Sequence, residues 1–279
     1  MSIPKQRSIS RSVTLRGTGL HSGESTSLTF SPADPGTGLR FRRPDLEGSA
    51  EIRATLEHVI DTDLGTTLGN GDWSILTVEH VLAALAALRI DNVQIAVSGP
   101  EIPVRDGSFR DYVAALDDAG PVEQDARATV FSVSTPLKVS ATEGQSYLAT
   151  SNEGMRISAT IDFEHEAIGR QFGSFLLDED GFRANVADAR TFGFKADSEA
   201  LYARGLALGA SLENTIVLDH DGVMNDSLRF EDEFLRHKVG DIVGDLALLG
   251  ARLDAHIVAE RPSHTGNVKL ARALRLHNQ

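Results

Sequence analysis

Val13 and Leu15 alternate with polar neighbours up to a Gly17-Thr18-Gly19 turn. Leu28 and Phe30 mark a second short strand, and Leu39-Arg40-Phe41-Arg42 a third with one apolar and one basic face. Over 77–88 the apolar period lengthens to that of a helix, 92–97 reads as a strand, and 108–118 as a second helix. Ser108 stands where a helix cap belongs, Asp111 follows three residues on, and Gly120 lies just past the end, so a capping box and a glycine stop are predicted. The stretch 120–127 is polar and contains proline, strand signals resume at Val130, and the domain boundary is placed there.

The second half repeats this order. Strands over 130–139, 146–150 and 155–163 precede a long helix over about 230–249. After it, Arg252-Leu253-Asp254-Ala255-His256-Ile257-Val258 echoes Arg89-Ile90-Asp91-Asn92-Val93-Gln94-Ile95, which follows the first helix. Runs of strands followed by helices, without strict alternation, predict an α+β fold. The repeat predicts two similar domains, 1–126 and 127–279, the second carrying an insertion at about 191–225.

Composition narrows the function. The apolar fraction of 41% and charged fraction of 24% belong to an ordinary globular protein, and no run of eighteen apolar residues is present to span a membrane. The N-terminal MSIPKQRSISRS has basic residues without an apolar stretch behind them, so it does not read as a secretory signal, and a cytoplasmic enzyme is expected. A formal charge of -13 speaks against nucleic acid as a partner. An anionic small molecule needs only a few cations in one cleft; Lys238 and the Arg40, Arg42, Arg43 cluster are candidates, although a solvated strand face accounts for the arginines more simply. With no cysteine in the chain, any metal must be held by histidine and carboxylate.

The long helix carries the strongest chemical signal. At 100° per residue, Leu235, Val239, Ile242, Leu246 and Leu249 gather on one side, while His237, Asp241 and Asp245 follow one another at i+4 on the other. Gly240 and Gly244 flank that polar stripe. Each costs about 1 kcal/mol against alanine inside a helix, so a close approach is implied. The first helix has Ala83, Ala84 and Ala87 on the side of His80, and an alanine face against a glycine face would bring His80 towards His237 and Asp241. Two imidazoles and one carboxylate, with a fourth position free, form the ligand set of a catalytic zinc site. A surface ion pair at i, i+4 remains open on spacing alone. Glu79, beside His80, suits either the helix dipole or a general base; His264, in a loop after the echoed strand, is either exposed or a general acid beside the metal.

Longer motifs join these residues: TLRGTGLHSG at 14–23, TVEH at 77–80, DNVQIAVSGPEIPVRDGS at 91–108, ARTFGF at 189–194 and LRFEDEFLRHKVGDIVGDL at 228–246. In them the chain resembles the UDP-3-O-(3-hydroxyacyl)-N-acetylglucosamine deacetylases, the zinc enzymes of lipid A synthesis, over nearly its whole length. The resemblance implies one zinc ion per chain on His80, His237 and Asp241, with Glu79 as base and His264 as acid. It also implies that Asp245 holds the ring of His264, that Thr191 hydrogen-bonds the oxyanion, and that Lys238 and Thr191 face the substrate. The implied architecture is a sheet packed on helices in each domain, with the active site between the helix layers. The 191–225 insertion would then form an apolar passage for the acyl chain, where Phe192, Leu201, Leu206 and Leu212 stand. Ser263 replaces the glycine that many members have before the acid histidine, and Gly65 stands where some have a cysteine.

On these grounds the chain is expected to hydrolyse the acetamide of an acylated UDP-N-acetylglucosamine, as a monomer, in the cytoplasm of a bacterium of Gram-negative type. A zinc hydrolase of another sugar amide or ester is the nearest alternative. A non-catalytic sugar-nucleotide binding protein is another, and the joint presence of Glu79, His264 and three ligands counts against it. His21 lies in a matching motif without an assigned role, while His58, His165, His220, His256 and His277 are expected to be solvated or packing residues.

Overall fold

The computed structural model of the chain describes residues 4–142 and 144–277. The outermost residues of the two expected domains, 1–3 and 278–279, lie outside the described residues.

Two five-strand paths carry the architecture, and they share one strand order. In the first, Val13–Thr18, Ser25–Pro32, Val93–Ser98, Leu39–Arg42 and Ile52–Arg53 lie side by side in that order; in the second, Leu137–Ser140, Ser146–Thr150, Arg252–Glu260, Met155–Asp162 and Arg170–Leu176 do the same. In each, the strand that comes last in the chain is central, antiparallel to one neighbour and parallel to the other. The echo at 89–95 and 252–258 therefore marks corresponding places in a repeated plan. The short strand Val130–Ser132 also pairs with the central strand of the second sheet. The fold is α+β, as the element order predicts.

The strands of the first sheet alternate buried and half-buried positions, as in Val93–Ser98, so one face is given to the core. Covering it is helix α1 (Glu79–Ala87), of which only Ala86 keeps appreciable exposure. Such a helix is buried all round, and its leucines and alanines serve different neighbours. Helix α2 (Arg110–Ala119) packs beside it. Between Arg170–Leu176 and Arg252–Glu260 the chain forms the short helices α3 (Glu179–Asn185) and α4 (Ser198–Ala203), the latter within the 191–225 segment together with strands Phe192–Phe194, Ile216–Asp219 and Gly222–Val223. Helix α5 (Glu233–Ala247) lies against α1, and α6 (His264–His277) closes the chain against α5.

Three local features depart from what the sequence pattern alone conveys. The polar stretch where the domain boundary is placed contains a strand, Pro121–Arg127, paired antiparallel with Lys5–Ile9; its largely polar side chains alternate on a two-stranded ribbon with little apolar content. The capping box at α2 does not form, because Asp111 is drawn to Arg105 at 2.9 Å and Ser108 turns to Asp106 at 2.7 Å. Gly120 does end that helix, at φ 71°. The single strand expected over 130–139 is two, Val130–Ser132 and Leu137–Ser140, belonging to different ladders.

Candidate metal centre

Helix α5 lacks a side chain at two close contacts, one with the backbone of α1 and one with the ring of Phe109. A Cβ on Gly244 would lie 2.0 Å from the carbonyl oxygen of Glu79, and a Cβ on Gly240 would lie 2.2 Å from the ring of Phe109. The close approach implied by the glycines is therefore real, but its partners are the Glu79 backbone and an aromatic ring, not the alanine side chains of α1. Phe109 in turn stacks on His237, ring centroids 5.2 Å apart, and tilts against His80 at 5.0 Å.

This contact brings His80 from α1 beside His237 and Asp241 from α5. All three are buried, and their ligand atoms lie within 4.8 Å of one another. His237 Nε2 stands 3.4 Å and His80 Nε2 3.9 Å from Asp241 Oδ1. Donors on a tetrahedral ion with bonds of about 2.1 Å sit about 3.4 Å apart, so the set is spaced for a small divalent cation. His237 Nδ1 faces the carbonyl of Ala189 at 3.1 Å, which makes that nitrogen the proton carrier and leaves Nε2 with its lone pair towards the cluster. Among the described residues, Asp241 Oδ1 and His80 Nδ1 are buried with no hydrogen-bond partner. Each such orphan costs about 1–3 kcal/mol unless another group satisfies it, and a cation among the three donors would satisfy the carboxylate.

The electrostatics favour the ligating forms. Burial holds His237 below the usual histidine range; burial and the neighbouring His237 hold His80 down to about 3. Burial alone would raise Asp241, but His237, Lys238, His264 and His80 together keep it below the usual carboxylate range. Two neutral imidazoles and a carboxylate are what a metal needs.

Glu79 and His264 flank this set. Burial pushes Glu79 up to about 7, with His264 opposing and the Asp245 and Asp241 carboxylates adding. Burial would lower His264, but Asp245, in contact with Nδ1 at 2.9 Å, outweighs it and with Glu79 and Asp241 raises it to about 9. Between those values Glu79 is a carboxylate and His264 an imidazolium, a base and an acid held apart by their surroundings. Lys238 Nζ lies 3.0 Å from Asp241 Oδ2 and 5.6 Å from the centre of the Phe192 ring.

A cleft of about 120 Å³ is lined by Glu79, His80, Thr191, Phe192, His237, Lys238, Asp241 and His264, with Leu20, Leu64 and Thr77. Asp245 stands behind it, fully buried. Leu206 lines a neighbouring cavity of about 220 Å³ with His21, Asp61, Asp63 and Arg204, and Thr77 borders both. Leu201 is half-buried in α4 and Leu212 exposed, and neither lines these cavities. Gly65 is closer to the site than its sequence position implies: a Cβ there would lie 3.3 Å from Glu79 Oε1.

Some contributors escape sequence reasoning. Thr66 donates its backbone N–H to Glu79 Oε2 at 2.8 Å and its hydroxyl to Asp245 Oδ1 at 2.5 Å, so one loop residue ties Glu79 to the residue that contacts His264. Thr77, two residues before Glu79, has φ 62°, a conformation rare for a β-branched residue, and its hydroxyl donates to Glu101, which also accepts from the backbone of His21 and Ser22. The arginine cluster is engaged elsewhere: Arg40 and Arg42 reach Glu51, and Arg43 pairs with Asp45. His58, His165, His220, His256 and His277 make local contacts away from the cleft.

The family model of the UDP-3-O-acyl N-acetylglycosamine deacetylases matches residues 6–275. Three similar proteins carry the name UDP-3-O-acyl-N-acetylglucosamine deacetylase. The one from Bdellovibrio bacteriovorus is 43% identical over 270 residues, 96% of this chain and 89% of its own. That from Myxococcus xanthus is 44% identical over 269 residues, 96% and 85%. That from Oleidesulfovibrio alaskensis is 42% identical over 275 residues, 98% and 90%.

Proposed function

The chain belongs to the UDP-3-O-acyl N-acetylglycosamine deacetylase family, and from that premise we propose how its cleft performs the reaction. As a member it is a hydrolytic deacetylase of lipid A biosynthesis, acting on UDP-3-O-acyl-N-acetylglucosamine. The observation that carries our reading is the convergence of His80, His237 and Asp241 in one cleft with a buried carboxylate and a buried imidazole of opposite tuning.

We assign His80, His237 and Asp241 as ligands of one zinc ion. When bound, such an ion supplies Lewis acidity that polarises a carbonyl and acidifies water. Glu79 takes the proton of the water that adds to the acetamide carbon. Thr191 donates its hydroxyl to the oxygen that becomes negative, beside the imidazolium of His264. His264 then gives its proton to the nitrogen as the C–N bond breaks, releasing acetate and leaving a free amine on the sugar. Asp245 keeps His264 protonated and oriented, and Thr66 holds Asp245 and Glu79 in register. Lys238 and Phe192, at the cleft wall, hold the substrate.

The repeated sheet plan supports reading 1–126 and 127–279 as two domains meeting at α1 and α5. We read the 191–225 segment as the passage for the acyl chain, with Leu206, which lines the neighbouring cavity, on its wall and Leu201 and Leu212 outside it. No helix among the described residues is long and apolar enough to cross a membrane, and we take the enzyme to act in the cytoplasm as a monomer. Acetate release from acylated UDP-N-acetylglucosamine, compared with the same sugar lacking the acyl chain, tests this reading. It predicts a strong preference for the acylated form, and equal rates would refute the passage.

A further inference from the structure

Glu233 opens α5 and is fully buried. It precedes His237 by four residues, so the polar stripe of α5 has four members, Glu233, His237, Asp241 and Asp245. Its carboxylate accepts four hydrogen bonds. Oε1 takes the backbone N–H of Arg190 at 3.0 Å and its Nε at 2.8 Å; Oε2 takes Arg190 Nη2 at 3.1 Å and the backbone N–H of Arg229 at 2.6 Å. Arg190 Nη2 also reaches the carbonyl of Ser227. Those contacts hold Glu233 ionised, below its usual range although burial opposes it. An apolar pair could fill such a space without the desolvation that two full charges suffer, so the pair points to a geometric task.

The residues on either side of Arg190 identify the task. Ala189 supplies the carbonyl that faces His237 Nδ1, and Thr191 lines the cleft. The run is pinned along its length. Phe109 N–H donates to the carbonyl of Ala187, Arg229 Nη1 to that of Asp188, and Thr191 N–H to that of Gly107. Arg229 is itself held by Asp106 at 2.8 Å. Because Glu233 and His237 share one helix, the Arg190 contact fixes the Ala189 carbonyl against the very ring it orients.

We propose that Glu233 and Arg190 form a positioning clamp, which through the backbone of residues 189–191 sets the ring of His237 and the hydroxyl of Thr191 together. The clamp rests on the reading of His80, His237 and Asp241 as a metal site. Groups that orient a metal-bound histidine typically change metal affinity 10- to 100-fold when removed.

The test uses Glu233→Gln, which keeps the shape and removes the charge, and Arg190→Lys, which keeps the charge and removes the fork. Zinc affinity is measured by competition with a chromogenic chelator, alongside kcat and KM of the zinc-saturated proteins and their Tm. The clamp predicts zinc binding weakened about tenfold or more in Glu233→Gln, with kcat lowered at nearly constant KM. Arg190→Lys should show the same pattern more mildly, and it carries the test should Glu233→Gln fail to fold. A lowered Tm with wild-type zinc affinity and wild-type kcat in the folded variants would overturn the clamp as a purely structural pair. A wild-type protein that takes up no zinc would overturn the metal reading, and the clamp with it.

Discussion

A single methyl group on Gly244 probes the contact on which the site is built. In Gly244→Ala the new Cβ would lie 2.0 Å from the Glu79 carbonyl oxygen and 2.7 Å from its carbon, both backbone atoms that no rotamer change can move. To reach about 3 Å, the shortest separation real Cβ atoms tolerate, α1 and α5 must part by about 1 Å locally. Alanine gains about 1 kcal/mol in helix propensity over glycine, while overpacking a filled core costs about 1–3 kcal/mol. A backbone clash belongs at the upper end of that range, so a net loss of about 1–2 kcal/mol is expected in urea denaturation. The functional effect should be larger than the stability effect. Glu79 and His80 ride on α1 while His237 and Asp241 ride on α5, and a misplacement of about 1 Å costs about 100-fold in rate. Acetate release by the folded variant should therefore fall about 100-fold, with weaker zinc binding. A Gly244→Ala protein as stable as the parent and within twofold of its kcat would refute the close-contact argument.

Glu79→Gln should lower kcat by about 100-fold or more with metal content unchanged; stoichiometric loss of zinc would instead make Glu79 a ligand. Thr191→Val should lose about 100-fold in kcat with little change in zinc affinity, whereas a change confined to KM would remove the oxyanion role. In the metal-stripped protein, His264 at about 9 against about 6.5 unfolded contributes about 3 kcal/mol, fully present below pH 6.5 and lost as pH rises through 9. Asp245→Asn should flatten that decline in urea melts at pH 6 and 9.5, and an unchanged slope would assign the shift to another group.

Much of the site is written in helical spacing, which is why it was legible. His237, Asp241 and Asp245 recur at i+4, and Gly240 and Gly244 announced a close neighbour without revealing which atoms it presents. Glu233 obeys the same spacing one step earlier, but at a helix start a glutamate is ordinarily explained by the dipole, and the Arg190 that claims it is remote in sequence. Thr66 and Glu101 stand outside the helices and named strands, where no periodicity marks them. The repeated order of strands and helices along the chain is readable from one echoed strand, which follows a helix in both halves, whereas its central place in each sheet is visible only in the structure. The pairing of Lys5–Ile9 with Pro121–Arg127 could not, since a polar ribbon has no apolar face to betray it.

Zinc titration of the chelator-stripped protein, followed by metal analysis and acetate release in the same samples, tests the central claim most directly. The convergence of His80, His237 and Asp241 predicts one ion per chain, activity rising in step with occupancy, and no tight uptake by His237→Ala. Full activity in the stripped protein, or undiminished binding and turnover in His237→Ala, would contradict it.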